Sequence, residues 1–410
     1  MTKNEVKNTN LLVLIAALGY FVDIYDLVLF SVERIDSLKE ILGASASKDE
    51  IKNVGMQLLN WQMGGMLVGG IVWGIYGDKK GRLSVLFGSI LMYSLANIAN
   101  GFVQTVEQYA LLRFISGFGL AGELGAGITL VSETMSKEKR GIGTMIVATV
   151  GVFGAVVAGF MGDIITNWRY SFFLGGGMGL LLLIMRIGVF ESGMFESMKK
   201  STIPKGNLLL LLKSKTNLMK YLGVIAIAVP VWYVMGILIT FSPEMMKSLG
   251  VTTFTPDPGK AIMFAYLGIT FGDFLSGMLS QLLKSRKKVL TLFLVLTILS
   301  VFMYFTLAVK SEFMFYGVIT FVGIATGYWA VFMSTAAELF GTNIRATVTT
   351  TAPNFVRGSV IFLTLGFRYL EVYFSAINAA VLIGIVTFIP AFLALYKMEE
   401  TFHKDLDYVE

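Results

Sequence analysis

The chain has no cysteine in 410 residues and a single histidine, His403, near its C-terminal end. The first absence excludes disulfides, thiolate chemistry and cysteine metal sites, and no metal or cofactor is expected. The second leaves proton handling inside the fold to carboxylates. Charge is scarce as well. Only 15% of residues are charged, against about 25% in soluble domains. No G-x-x-x-x-G-K-[ST] phosphate loop is present, which argues against ATP as an energy source. The net charge of +6 fits the basic loops of a membrane protein better than a nucleic-acid partner.

Long apolar runs are what the chain has instead. Hydrophobic residues make up 55% of it, with a mean hydropathy of +0.73. Spans of about 20 largely apolar residues fall near 11–32, 56–77, 84–103, 108–132, 142–164 and 168–190. A second six fall near 220–242, 261–283, 288–309, 312–337, 346–366 and 372–396. The fold class is thus all-α: twelve transmembrane helices in two sets of six. The expected division is a bundle over 1–190, a basic linker over 191–219 and a second bundle over 220–410. The first run holds Asp23 and Asp26 with no small-residue cleavage site behind it, so it is not a removable signal peptide. Lys and Arg gather in the loops that share a side with both ends and the central linker. That bias expects an inner cell membrane location with both termini cytoplasmic.

Two segments repeat. Glu133-Thr-Met-Ser-Lys-Glu-Lys-Arg140 and Glu338-Leu-Phe-Gly-Thr-Asn-Ile-Arg345 each set Glu seven residues before Arg at the cytoplasmic end of a helix. The offset is 205 residues, half the chain, which expects two parallel six-helix repeats.

Gly74-Ile-Tyr-Gly-Asp78-Lys79-Lys80-Gly81-Arg82, between the second and third spans, resembles the G-x-x-x-D-R-x-G-R signature of the major facilitator superfamily. Lys79 stands where the family has Arg. Leu112-Arg113-Phe114 and Ala121-Gly122-Glu123-Leu124-Gly125-Ala126 resemble the fourth-helix pattern of sugar porters and metabolite:proton symporters, and Glu338 to Arg345 is similar to the E-L-F-P-T-x-x-R of the same groups and of organic-ion transporters. Gly341 replaces that proline. The resemblance implies a secondary active transporter rather than an enzyme. It also implies a small-molecule substrate, protons as co-substrate, a lipid bilayer for surroundings and a monomer. Asp78 and Arg82, with Glu133, Arg140, Glu338 and Arg345, are then expected at the cytoplasmic gate.

Ionisable groups are costly in hydrocarbon and are functional candidates by default. Asp23 and Asp26 share a face of the first helix. At 1.5 Å per residue, Asp26 and Arg113 reach similar depths, so a pair between them is expected, resembling the Asp and Arg of proton-coupled sugar porters. The alternative is an ion pair that only fixes packing. Glu123 lies deeper on the fourth helix, either carrying a proton or hydrogen-bonded to a neighbour. These four residues are the proton-coupling candidates. Arg357, roughly 16 Å into the eleventh helix beside Pro353, Asn354 and Gly358, resembles the eleventh-helix Arg of organic-anion transporters and is the candidate to hold an anionic substrate. Its structural alternative is neutralisation by Asp273. Tyr328 and Trp329 stand at the 205-residue offset from Glu123 and Leu124 and, with Asn354 and Asp273, complete the substrate-binding candidates. The glycines at 65, 69, 70 and 74 read as close helix packing. The expected activity is proton-coupled uptake of a small organic anion or zwitterion. The alternatives are a sugar or other neutral-metabolite porter, and a non-transporting membrane sensor of the same fold.

Overall fold

The computed structural model describes residues 3–43, 45–80, 82–125, 127, 131, 135, 140–190, 214–402 and 404. Among them there is no strand. The first half holds α1 (Lys3–Leu42), α2 (Lys48–Lys80), α3 (Arg82–Asn100), α4 (Val106–Leu120), α5 (Arg140–Ile164) and α6 (Trp168–Phe190). In the second half, α7 (Lys215–Tyr233) continues through a π-helical turn at Val234–Ile239. Then come α8 (Pro258–Leu282), α9 (Arg286–Thr306), the split α10 (Glu312–Thr326 and Trp329–Glu338), α11 (Thr342–Glu371) and α12 (Ala376–Lys397). Nine of these are long and apolar enough to cross a membrane by length and composition. The other three are α3 and α4, whose regular stretches are short, and α11, which is diluted by threonines and by Arg345 and Arg357.

Local sequence sets the ends. Thr105, Ser214, Asp257, Ser285, Ser311 and Ser375 each accept a hydrogen bond from the backbone N–H three residues on, at the starts of α4, α7, α8, α9, α10 and α12. Each such cap is worth about 1 kcal/mol. The first helix runs ten residues past its apolar window, because Ile35, Leu38 and Leu42 continue the helical spacing and Gly43, at φ +92°, ends it. In α7, Pro230 has no N–H to donate. Four residues beyond it the helix widens, and the Thr240 N–H reaches five residues back to Met235 O at 3.1 Å.

The two halves repeat one construction. A Cβ on Gly65 would sit 2.1 Å from Phe114 O, and one on Gly117 would sit 2.0 Å from Gln62 O, so α2 and α4 cross backbone against backbone. In the second half Gly268 meets Thr320 O at 2.1 Å and Gly323 meets Ala265 O at 2.0 Å in the same sense, joining α8 to α10. The halves themselves meet chiefly along α2 with α11 and α5 with α8. Gly70 and Gly74 face Asn354 and Thr351 of α11, so the α2 glycines serve both crossings. The fourth helix of each half is also interrupted: a turn at Ala121–Gly122 ends α4, and α10 breaks at Gly327–Tyr328.

Candidate functional site

A small cavity lies between the halves. Its walls include Tyr20 and Ile24 of α1, Val152 of α5, Trp232 and Met235 of α7, Tyr266 of α8, Trp329 of α10 and Arg357 of α11. Arg357 is 1% exposed. Its Nη2 donates to Tyr20 Oη at 3.4 Å and its guanidinium lies 5.7 Å from the Trp329 ring centre. Nε and Nη1 have no hydrogen-bond partner. Asp23, three residues beyond Tyr20 on α1, is fully buried with neither oxygen hydrogen-bonded. The cavity therefore presents two guanidinium nitrogens with unused N–H groups, and aromatic walls.

Asp26, one turn along α1, is equally buried and equally free of hydrogen bonds. The expected Asp26–Arg113 pair does not form. Arg113 instead donates to Asn97 Oδ1 at 2.6 Å and Asn100 Oδ1 at 3.3 Å, and lies over the Phe172 ring at 4.8 Å. Asparagines on α3 engage Nε and Nη2 without neutralising the charge, Nη1 stays without a partner, and no ion pair to Asp26 forms. Glu123 forms a bidentate ion pair with Arg186 of α6, both 1% exposed. Its carboxylate is matched within the first half.

The remaining substrate-binding candidates separate. Trp329 lines the cavity, whereas Tyr328 turns away and donates to Ile227 O of α7 at 3.0 Å. Asp273 is not the counter-ion of Arg357. It accepts from the Ala330 N–H at 3.2 Å and so caps the second segment of α10, where the break leaves N–H groups exposed. Asn354 joins the halves by donating to Ala121 O of α4 at 2.8 Å. At the gate, α2 is helical through Asp78 to Lys80 and α3 begins at Arg82, but the side chains of Asp78, Arg82 and Arg140, and all of Glu133, lie outside the described residues. Glu338 pairs with Arg286 of α9 at 3.0 Å. Arg345 donates to Ala337 O and Phe340 O, closing the C-terminal end of α10.

A family model described as Major Facilitator Superfamily matches residues 16–365, most of the chain. The protein belongs to that superfamily. It is a multi-pass membrane transporter with the twelve-helix facilitator fold. A putative metabolite transport protein of Haemophilus influenzae is 25% identical over 96% of both chains. The 3-(3-hydroxy-phenyl)propionate transporter of Escherichia coli is 28% identical over 54% of each. Among solved structures, the proton:xylose symporter of the superfamily, bound to 6-bromo-6-deoxy-D-glucose, superposes with a TM-score of 0.74. It covers 98% of both chains at 16% identity.

In this facilitator ion pairs join the halves at the face opposite the chain ends, none of which sequence reasoning singled out. Arg34 of α1, fully buried, donates to Glu244 at 2.8 and 3.2 Å and to Thr240 O at 3.2 Å, and stacks 4.5 Å from the Phe241 ring centre. Lys52 of α2 reaches Glu371 of α11 at 2.5 Å, and Lys260 of α8 reaches Asp163 of α5 at 3.4 Å. A signal existed for Arg34 and for Arg186, since both are arginines inside or beside apolar runs. Nothing in the sequence points to Trp232 or Tyr266, which are two aromatics among many.

Proposed function

We propose that this transporter moves a small organic anion bearing a carboxylate, or a zwitterion, together with protons. On this reading the two six-helix halves, 1–190 and 220–410 joined by a linker, rock about the central cavity. The chain ends face the cytoplasm, and a single copy suffices for the cycle. The observation that carries the reading is Arg357: a buried guanidinium in the cavity with two donors unused. A guanidinium at mid-membrane costs at least about 2.5–3.5 kcal/mol on insertion scales. A carboxylate offsets that through two parallel charge-assisted hydrogen bonds. Trp232, Tyr266 and Trp329 would hold an apolar or aromatic body beside it.

Asp23 supplies the coupling. While ionised it competes with the substrate anion for Arg357. Once protonated it leaves the guanidinium free, so proton and anion favour each other's binding. Asp26 is the second proton carrier, one turn away. Glu123, already matched by Arg186, holds the first half together.

The test is binding by calorimetry across a panel of phenylpropionates, benzoates, their amides and neutral sugars. Carboxylates should bind the wild type. Arg357→Lys, which cannot copy the planar fork, should weaken that binding by an order of magnitude or more, about 1.4 kcal/mol. A neutral sugar bound equally by both proteins would refute the anion reading and favour a neutral-metabolite porter.

A further inference from the structure

Protons bound for Asp26 need a way in, and α1 carries a group that no role above uses. Glu33 lies seven residues beyond Asp26, so the two share a face about 10 Å apart along the axis. It is 4% exposed and its Oε1 has no hydrogen-bond partner. The neighbouring Arg34 points away to Glu244. On the α5 side, a Cβ at Gly162 would lie 3.4 Å from Glu33 Oε1; on the α6 side the carboxylate lies beside Ser171.

Ser171 connects the two acids. The hydroxyl of Tyr25, the residue before Asp26 on α1, lies 3.5 Å from Ser171 O, and the buried Ser171 Oγ has no hydrogen-bond partner of its own. One turn further along α6 stands Gly175, where an added Cβ would collide with Asp26 Oδ1 at 2.2 Å. Both carboxylates thus press against the same stripe of α6, one turn apart. The titratable groups facing Glu33 are Tyr25 and Asp36 on α1, Tyr109 on α4 and Asp257 just ahead of α8. None of these is a cation, and among the described residues no ion pair to Glu33 is found. Asp36 and Asp257 are exposed acids at the face opposite the chain ends.

We infer that Glu33 is the proton-entry group of this transporter, taking a proton at the face opposite the chain ends and relaying it along α6 to Asp26. This rests on the proton-coupled reading above. The Glu33 carboxylate accepts a proton from solvent hydronium, releasing water, and becomes the neutral acid. It passes that proton to Ser171 Oγ as the serine gives its own, over the remaining turn and through a water, to the Asp26 carboxylate. Glu33 returns to the carboxylate, Asp26 ends neutral, and no electrons move. A carboxylate acts over such a gap only directly or through one bridging molecule. That is why a hydroxyl placed between the two acids matters.

The experiment is infrared difference spectroscopy on the purified protein in lipid nanodiscs after a light-triggered pH drop. The carboxylic-acid band of Asp26 is identified as the band that Asp26→Asn removes. With Glu33→Gln that band should reach its wild-type amplitude at least about tenfold more slowly, and Glu33→Asp should recover part of the rate. A merely structural Glu33 would change thermal stability or band amplitude but not the rate. An unchanged rate in folded Glu33→Gln overturns the relay and leaves proton coupling intact. Absence of any Asp26 band across the pH range overturns the coupling reading and the relay with it. If Glu33→Gln does not fold, Ser171→Ala carries the same test: slowing supports the relay and an unchanged rate overturns it.

Discussion

Replacing Glu244 by Gln should open the face opposite the chain ends. Arg34 is fully buried and Glu244 is 19% exposed. Removing one member of a buried pair costs about 3–5 kcal/mol, most of it from the charge left behind. Here the stranded guanidinium keeps Thr240 O and the Phe241 ring, and the lost carboxylate was partly solvated. The expected penalty is therefore smaller, about 2–3 kcal/mol. It falls on the closed arrangement alone if opening releases Arg34 to water. At 1.4 kcal/mol per tenfold, the closed-to-open ratio should drop by roughly 30- to 150-fold.

The absence of cysteine makes the assay clean. Ser31, buried beneath the Arg34–Glu244 clamp in a second cavity lined by Leu59, Met63, Thr240 and Tyr266, becomes the single thiol in Ser31→Cys. Its labelling by a membrane-impermeant maleimide reports opening. Glu244→Gln should speed labelling by a factor in the range above. The exchange Arg34→Glu with Glu244→Arg should bring it back toward the parent rate, the usual signature of a coupled pair. An unchanged labelling rate in a folded Glu244→Gln protein would refute the idea that this pair holds the face shut.

Three further outcomes are expected. Gly117→Ala should lower the melting temperature in detergent, since its Cβ would lie 2.0 Å from Gln62 O and overpacking costs about 1–3 kcal/mol; Gly177→Ala, with open space at its Cβ, should be neutral or slightly stabilising. Asp26→Asn in proteoliposomes should abolish accumulation driven by a proton gradient while sparing exchange of substrate across the membrane, and normal accumulation would exclude Asp26 from coupling. Beyond α12, partial burial pushes the Glu400 carboxyl up, but hydrogen bonds from Ser285 and from the N–H groups of Arg286, Phe402 and Thr401 outweigh it and hold its pKa below the ordinary value. Its stabilising contribution is thus present above the usual carboxylate range and lost as pH falls through the lowered pKa, so the thermal difference between wild type and Glu400→Gln should shrink on acidification.

The helix count, the half-chain repeat and the packing role of the glycines were legible because each rests on one-dimensional pattern: run length, offset and spacing. Pairings were less so. Depth along a helix gives height but not azimuth, so Asp26 and Arg113 were matched at one level although Asn97 and Asn100 of α3 stand where the pair would form. Asp273 was offered to Arg357 because both are charges in hydrocarbon. Its capping role could be seen only once α10 was known to break at Gly327–Tyr328. Arg186 was passed over because it stands near the end of an apolar run, where arginines usually reach the membrane surface.

The repeat also shows how the two halves divide the chemistry. At the offset of 205, Arg357 corresponds to Val152, and Asp23 and Asp26 correspond to Ala228 and Val231. Val152 and Val231 both line the central cavity, so the corresponding positions meet the same space in apolar form. At these paired positions the acids stand on α1 of the first half and the guanidinium on α11 of the second. Asp23 and Arg357 thus stand on opposite halves, which on the proposed reading move against each other. A substrate anion on Arg357 and a proton on Asp23 neutralise the two sides together, whereas either alone leaves an unmatched charge in a low-dielectric gap. Coupling on the proposed reading then needs no long-range signal through either bundle. It follows from which half holds which charge, and moving Arg357 to the first half, as Val152→Arg with Arg357→Val, should leave a folded protein that binds an anion but no longer links its binding to pH.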